Sequence, residues 1–159
     1  MNIKVFAFVA AAIAVFSINL AAQKVEVAAP PMYDAELAKK LGADDRGMKI
    51  YVLCILKTGA NDAKIKGKER DDIFAGHFAN INRLANEGKL AVAGPFENND
   101  KAYRGLYIFN VATLAEAEKL VVLDPAVKAG VFVPDLTLWY GTAALMTVSD
   151  THKMLIKSK

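Results

Sequence analysis

One cysteine in 159 residues leaves no intramolecular disulfide to hold the fold. That residue, Cys54, lies inside the apolar run Tyr51-Val52-Leu53-Cys54-Ile55-Leu56 and reads as a small buried hydrophobe, because a nucleophilic thiol wants an exposed, electropositive place. Histidine is nearly as scarce. His77 and His152 are the two copies, and neither stands at metal-ligand spacing from the cysteine or from the other, so no metal is expected. No Gly-x-Ser-x-Gly elbow and no dinucleotide fingerprint occur, which leaves no basis for a serine hydrolase or a nicotinamide or flavin enzyme. Gly67-Lys68 is followed by Glu69 where a phosphate loop needs Ser or Thr, and Gly59 lies too far upstream. No cofactor is therefore expected.

A strong charge of one sign is missing too. The formal net charge is +3, and the basic stretch Lys64-Ile65-Lys66-Gly67-Lys68-Glu69-Arg70 runs into Asp71 and Asp72 without an aromatic partner. It reads as a solvated loop and helix entry, and nothing calls for nucleic acid. No internal repeat or low-complexity tract is visible.

The first residues read as an address. Lys4 precedes an apolar run over 5–20, broken by Ser17 and Asn19, and Ala21-Ala22 follows, in the order of a secretory signal. An uncleaved anchor is the alternative, but the run is short for the roughly 20 residues of a span and has no basic stop-transfer cluster. Residues 1–22 are thus expected to be a signal peptide, cut near Gln23, with the mature protein in a bacterial periplasm or outside the cell and free of the membrane. No cysteine lies there to carry a lipid anchor.

Residues 23–47 read as a linker with Pro30-Pro31, then a short helix with Asp34 as its N-cap, Leu37 and Leu41 four apart, and Gly42 as its stop. The main domain is expected over 48–145, with 146–159 as a tail. Its first strand, 49–56, and its third, 106–109, are apolar almost without interruption, so both of their faces should be covered. Two helices cover one face only. The chain offers four strands, so the simplest cover for the other face is a second copy of itself, and a homodimer is expected.

The first long helix is predicted over 69–87, with Gly88 as its stop. Phe74, Phe78, Ile81, Leu84 and Ala85 form its apolar stripe, and His77 shares that stripe at spacings of three and four. Thr113-Leu114-Ala115-Glu116 is a capping box opening a second helix, and Asp124 must leave that helix because Pro125 disfavours the α conformation in the residue before it. The last strand, 131–140, holds Pro134 and belongs at an edge.

Chemistry centres on His77. A histidine on an apolar stripe is more often a satisfied core residue than an acid or base, and Asp124 is equally well a helix terminator. If the two meet, Asp124 fixes the imidazole tautomer and leaves the other ring nitrogen to take or give a proton. Lys57 and Arg104 are candidate contacts for a carboxylate or enolate, against their default as solvated ends of strands. Gly94-Pro95-Phe96 forms a rigid turn where backbone can approach a ligand, Asn80 lies one helical turn from His77, and Trp139 lines a cleft or packs the edge strand.

In order and spacing, GHFANINRLANEGKLAVAGPF, RGLYIF and DPAVKAG resemble the YciI-like (YCII-related) family of small α+β proteins, over 51–140. The resemblance implies a ferredoxin-like βαββαβ fold with strand order 4-1-3-2, a four-stranded antiparallel sheet, and sheets stacked in a dimeric α/β barrel. It also implies a functional histidine on the first long helix, which is His77 here. Many relatives carry an aspartate at the end of strand one, where this chain has Lys57, and that leaves Asp124 as the better candidate to partner His77, with another residue as the alternative. The expected function is cofactor-independent proton-transfer chemistry, of lyase or isomerase type, on an unidentified small molecule. The alternatives are a non-catalytic ligand-binding protein or a structural module of the same fold.

Overall fold

A computed structural model describes residues 32–157, so the expected signal segment 1–22 and the linker residues 23–31 lie outside the described residues. Asp34 caps α1, Ala35–Leu41, by accepting the Leu37 N–H at 2.9 Å, and the helix stops at Gly42, whose φ of 71° suits a residue without Cβ. Strand β1, Met48–Thr58, follows, then α2, Gly67–Asn86, which opens two residues before the sequence signal. Strands β2, Leu90–Pro95, and β3, Tyr103–Phe109, form a hairpin.

Helix α3, Leu114–Val121, opens as its capping box predicts: Thr113 Oγ1 accepts the Glu116 N–H at 3.2 Å and donates to Glu116 Oε2 at 2.9 Å. Asp124 is extended, with φ −68° and ψ 124°, as a residue before proline should be. It does more than end a helix. It also caps the next, the single turn α4, Pro125–Lys128, by accepting the Ala126 N–H at 2.8 Å. Strand β4, Phe132–Thr142, closes the sheet, and a 3-10 turn, Ala143–Thr147, leads into α5, Val148–Leu155.

The sheet order is β2-β3-β1-β4 with every pair antiparallel, which is the ferredoxin-like 4-1-3-2 arrangement of an α+β fold. Pro134 stands on the edge strand, where a missing N–H costs no ladder bond on the outer side. Side chains alternate across β1. Val52, Cys54 and Leu56 face the helices and pack with Tyr107, Phe109, Leu84, Ala117 and Val121.

The second face is covered at one end only. Tyr51, Ala91 and Ile108 are buried there beneath Leu145 and Met146, while on β4 Val133 stays 50% and Trp139 37% exposed. Met146 therefore belongs to the packed domain, and the stretch 146–159 carries α5 where a tail was expected. Phe78 also departs from expectation. It is 58% exposed, because its position on α2 faces the rim of a cavity and not the interior.

Candidate functional site

Gly76 brings the site together. A Cβ at this position would lie 2.9 Å from Pro125 Cγ, so only a glycine lets α2 approach α4 this closely. The residue after Gly76 then meets the residue before Pro125. His77 Nδ1 donates to Asp124 at 2.8 Å from Oδ2 and 3.0 Å from Oδ1, and the aspartate is fully buried.

Asp124 has three donors: the imidazole, the Ala126 N–H, and the Tyr107 hydroxyl, which donates to Oδ2 at 2.9 Å. Burial pushes its carboxyl upward, but the bond and charge of His77, the Ala126 N–H and the Tyr107 hydroxyl outweigh it and hold the group below its ordinary value. An ionised Asp124 has no proton to share, so the proton between the two side chains sits on Nδ1. Tyr107 lies 3.3 Å from the same nitrogen, yet both are donors aimed at one oxygen. Its phenol stays neutral, pushed up by burial and by the charge of Asp124. With Nδ1 engaged, Nε2 of a neutral ring carries the lone pair, and it has no hydrogen-bond partner among the described residues.

His77 is one wall of a cavity of about 490 Å³ between α2 and the outer ends of β2 and β3. Phe74 and Phe132 pack edge-on against the imidazole, with ring centroids 5.8 and 5.4 Å away. Gly94, Pro95 and Phe96 line the same cavity, and a Cβ at Gly94 would meet nothing within 4 Å.

Arg104 reaches the same cavity through an irregularity in the sheet. Leu56 pairs with Gly105 and Lys57 with Tyr103, so Arg104 is an extra residue, re-aimed as bulged residues are. Its Nη1 donates to Asp62 Oδ2 at 2.9 Å, and Arg70 Nη2 donates to the other oxygen at 2.8 Å. Burial raises the Asp62 carboxyl, but the two guanidinium groups prevail and hold it below its ordinary value.

Of the residues singled out in the sequence, His77, Gly94, Pro95, Phe96 and Arg104 line one cavity, with Asp124 directly behind the histidine. Lys57, Asn80 and Trp139 are not brought there. Alternation along β1 turns Lys57 to the second sheet face, where its ammonium pairs with Asp135 at 2.6 Å. Trp139 shares that face, its ring 5.9 Å from Tyr51. Asn80 is buried on α2 with Oδ1 accepting from Arg83 at 2.8 Å, and its Nδ2 has no partner among the described residues. Cys54 lies in the core, where burial pushes its thiol up to about 12, in keeping with an inert packing residue.

Sequence reasoning passed over Tyr107, Asp62 and Phe132. Tyr107 carried a usable signal, because a tyrosine in a central strand must find a partner for its hydroxyl. Among the described residues no three His, Cys, Asp or Glu side chains converge to hold a metal ion, and no helix is long and apolar enough to cross a membrane.

No curated protein matches the chain. Among solved structures, the 5-chloro-2-hydroxyhydroquinone dehydrochlorinase of Burkholderia phenoliruptrix AC1100, in complex with 2,5-dihydroxybenzoquinone, is 22% identical, over 57% of this chain and 91% of that one, with a TM-score of 0.38. The YCII-related domain matches residues 48–136. That stretch is more than half of the chain and takes in His77, Gly94-Pro95, Arg104, Tyr107 and Asp124, and the protein belongs to the YCII-related family.

Proposed function

We propose that this protein is a cofactor-independent enzyme that moves a proton on a small organic molecule, with His77 as the acid/base. One observation carries the reading: a buried, ionised carboxylate fixes Nδ1, and the remaining nitrogen belongs to a side chain that lines a ligand-sized cavity. Nε2 would take a proton from a carbon next to a carbonyl, and the C–H electron pair would move onto the carbonyl oxygen as an enolate. The ring becomes an imidazolium facing Asp124, whose carboxylate stabilises its charge. Returning the proton to a different carbon completes an isomerisation. Expelling an anionic leaving group from the adjacent carbon, with the proton left on His77, completes an elimination.

The test is deuterium uptake from heavy water into a panel of enolisable ketones and β-substituted carbonyl compounds, followed by NMR. His77→Gln should slow uptake by roughly 10²- to 10⁴-fold, the usual weight of general acid/base catalysis, with the folded spectrum retained. Equal uptake by the variant sinks the mechanism.

A second reading, a non-catalytic small-ligand protein, draws on the 6% exposure of His77, which leaves little of the ring in reach. Loss of deuterium uptake across the whole panel, with retained ligand binding, would favour it. The proposal extends to an exported homodimer. Lys4 with the apolar run over 5–20 supports export, and the exposed Val133 and Trp139 on the second sheet face support a stacked partner.

A further inference from the structure

We infer that Arg104, anchored on Asp62, is a carboxylate subsite, and that the molecule it holds is a small, flat organic monoacid. The position of that acid relative to Nε2 rests on the reading of His77 given above; the subsite itself does not. Arg104 uses Nη1 on Asp62, while Nε and Nη2 make no hydrogen bond among the described residues. Such a guanidinium keeps one edge of two parallel donors, which matches the two oxygens of a carboxylate. Asp62 does not compete for that edge, because its oxygens are already divided between Arg70 and Arg104. Two arginines and one aspartate leave one net positive charge in this cluster. Among the described residues no other lysine or arginine lines it, which suits a monoanion and not a dianion.

The space beside that charge is aromatic. The Phe132 ring lies 5.5 Å from the Arg104 guanidinium carbon and 5.4 Å from the His77 ring, so the anion subsite and the histidine border the same phenyl ring. Phe74 packs edge-on to Phe132 at 5.7 Å, and Phe96 also lines the cavity. Walls made of ring faces and edges favour a flat partner, and a ring-sized body spans this interval with its carboxylate at Arg104.

Benzoate and its neutral isostere benzamide are suitable probes, titrated into the intact protein by calorimetry. Wild type should bind benzoate at least tenfold more tightly than benzamide. Arg104→Gln should remove that preference, and His77→Gln should keep it. If Arg104→Gln does not fold, wild type decides alone: the Arg104 Nε–H resonance should move with benzoate and stay with benzamide. Equal affinity for the two probes in wild type, or a preference that survives in folded Arg104→Gln, overturns the subsite. Displacement of benzoate by equimolar inorganic phosphate also overturns it, in favour of a phosphate site. Benzoate preference in a protein whose deuterium uptake ignores His77→Gln leaves the subsite standing and removes the proposed function. The reverse pattern removes the subsite alone.

Discussion

Replacing Asp124 by asparagine tests the site with the least change of shape. The carboxylate accepts from three donors, and an amide offers one acceptor oxygen and an NH₂ group that is itself a donor. At least one of the three donors must then lose its partner or turn. The Ala126 N–H is fixed in the backbone and Tyr107 has one hydroxyl to rotate, so the imidazole is the group that can adapt, by moving its proton from Nδ1 to Nε2. That tautomer presents a donor to the cavity where the proposed base needs a lone pair. In a serine-protease triad the equivalent carboxylate-to-amide change costs about 10⁴ in turnover. Here the expected loss is the general acid/base contribution of roughly 10²- to 10⁴-fold.

Hydrogen bonds to a charged acceptor contribute about 1.5–3 kcal/mol against about 0.5–1.5 for a neutral one, so neutralising one acceptor shared by three donors should cost on the order of 2–4 kcal/mol. The sign of the pH dependence follows from the depressed Asp124 value. A carboxylate lowered in the fold contributes stability that is present above its unfolded value of about 3.9 and is lost as pH falls through the lower folded value. Wild type should therefore lose stability across that acid window, and Asp124→Asn should show a flatter profile there. Denaturant unfolding from pH 7 downward reads both terms, and ¹⁵N shifts of His77 read the tautomer. A variant with Nδ1 still protonated, full deuterium uptake and an unchanged acid slope would refute the reasoning at every step.

Other perturbations separate structure from chemistry. Gly76→Ala gains about 1 kcal/mol in helix propensity but drives a methyl onto the rigid Pro125 ring, at a cost of about 1–3 kcal/mol, so stability should fall slightly and deuterium uptake much more. Tyr107→Phe removes one of three donors to Asp124 and should destabilise the protein by about 1.5–3 kcal/mol in denaturant titrations, while retaining more activity than His77→Gln because the hydroxyl does not contact Nε2. Thr113→Ala removes a cap far from the cavity and should cost about 1 kcal/mol with turnover unchanged; a matching loss of turnover would show that the assay reports stability alone. Sedimentation of the protein beginning near Gln23 should give a dimer, and a stable monomer would dismiss the stacking of sheets through the Trp139 face.

The frame of the fold was legible because each of its signals is local. The Thr113 capping box, the Gly42 and Gly88 stops, the continuous apolar runs at the two central strands and the edge Pro134 act within a few residues of themselves, and the structure places each as its chemistry requires. The site was legible in part. His77 and Asp124 stood out as polar residues at places where the fold had to bury or turn the chain. Lys57 and Arg104 looked alike in sequence, as cations near strand ends, and the structure separates them. A single-residue slip between Leu56 and Lys57 sends Arg104 to the helix side, while ordinary alternation leaves Lys57 on the other face. Nothing within either segment announces that slip, which arises in the pairing of β1 with β3.

The two dipeptides Gly76-His77 and Asp124-Pro125 are one feature viewed from two ends. Forty-seven residues separate the histidine from its aspartate, and the fold closes that interval by packing a helix against a proline ring through the one residue without a side chain. Proline fixes the turn that extends Asp124 and aims its carboxylate, and glycine sets the distance at which the imidazole meets it. Tyr107 adds a third element from the centre of the sheet, so Asp124 is satisfied only when α2, α4 and β3 have all docked. A buried carboxylate short of those donors is costly, which ties the tautomer of His77 to completed tertiary structure. Undocking of α2 or α4 should therefore abolish proton transfer before the sheet itself is lost. Deuterium uptake followed through a denaturant titration would fall ahead of the circular dichroism signal, and coincidence of the two curves would show that the site and the sheet unfold as one.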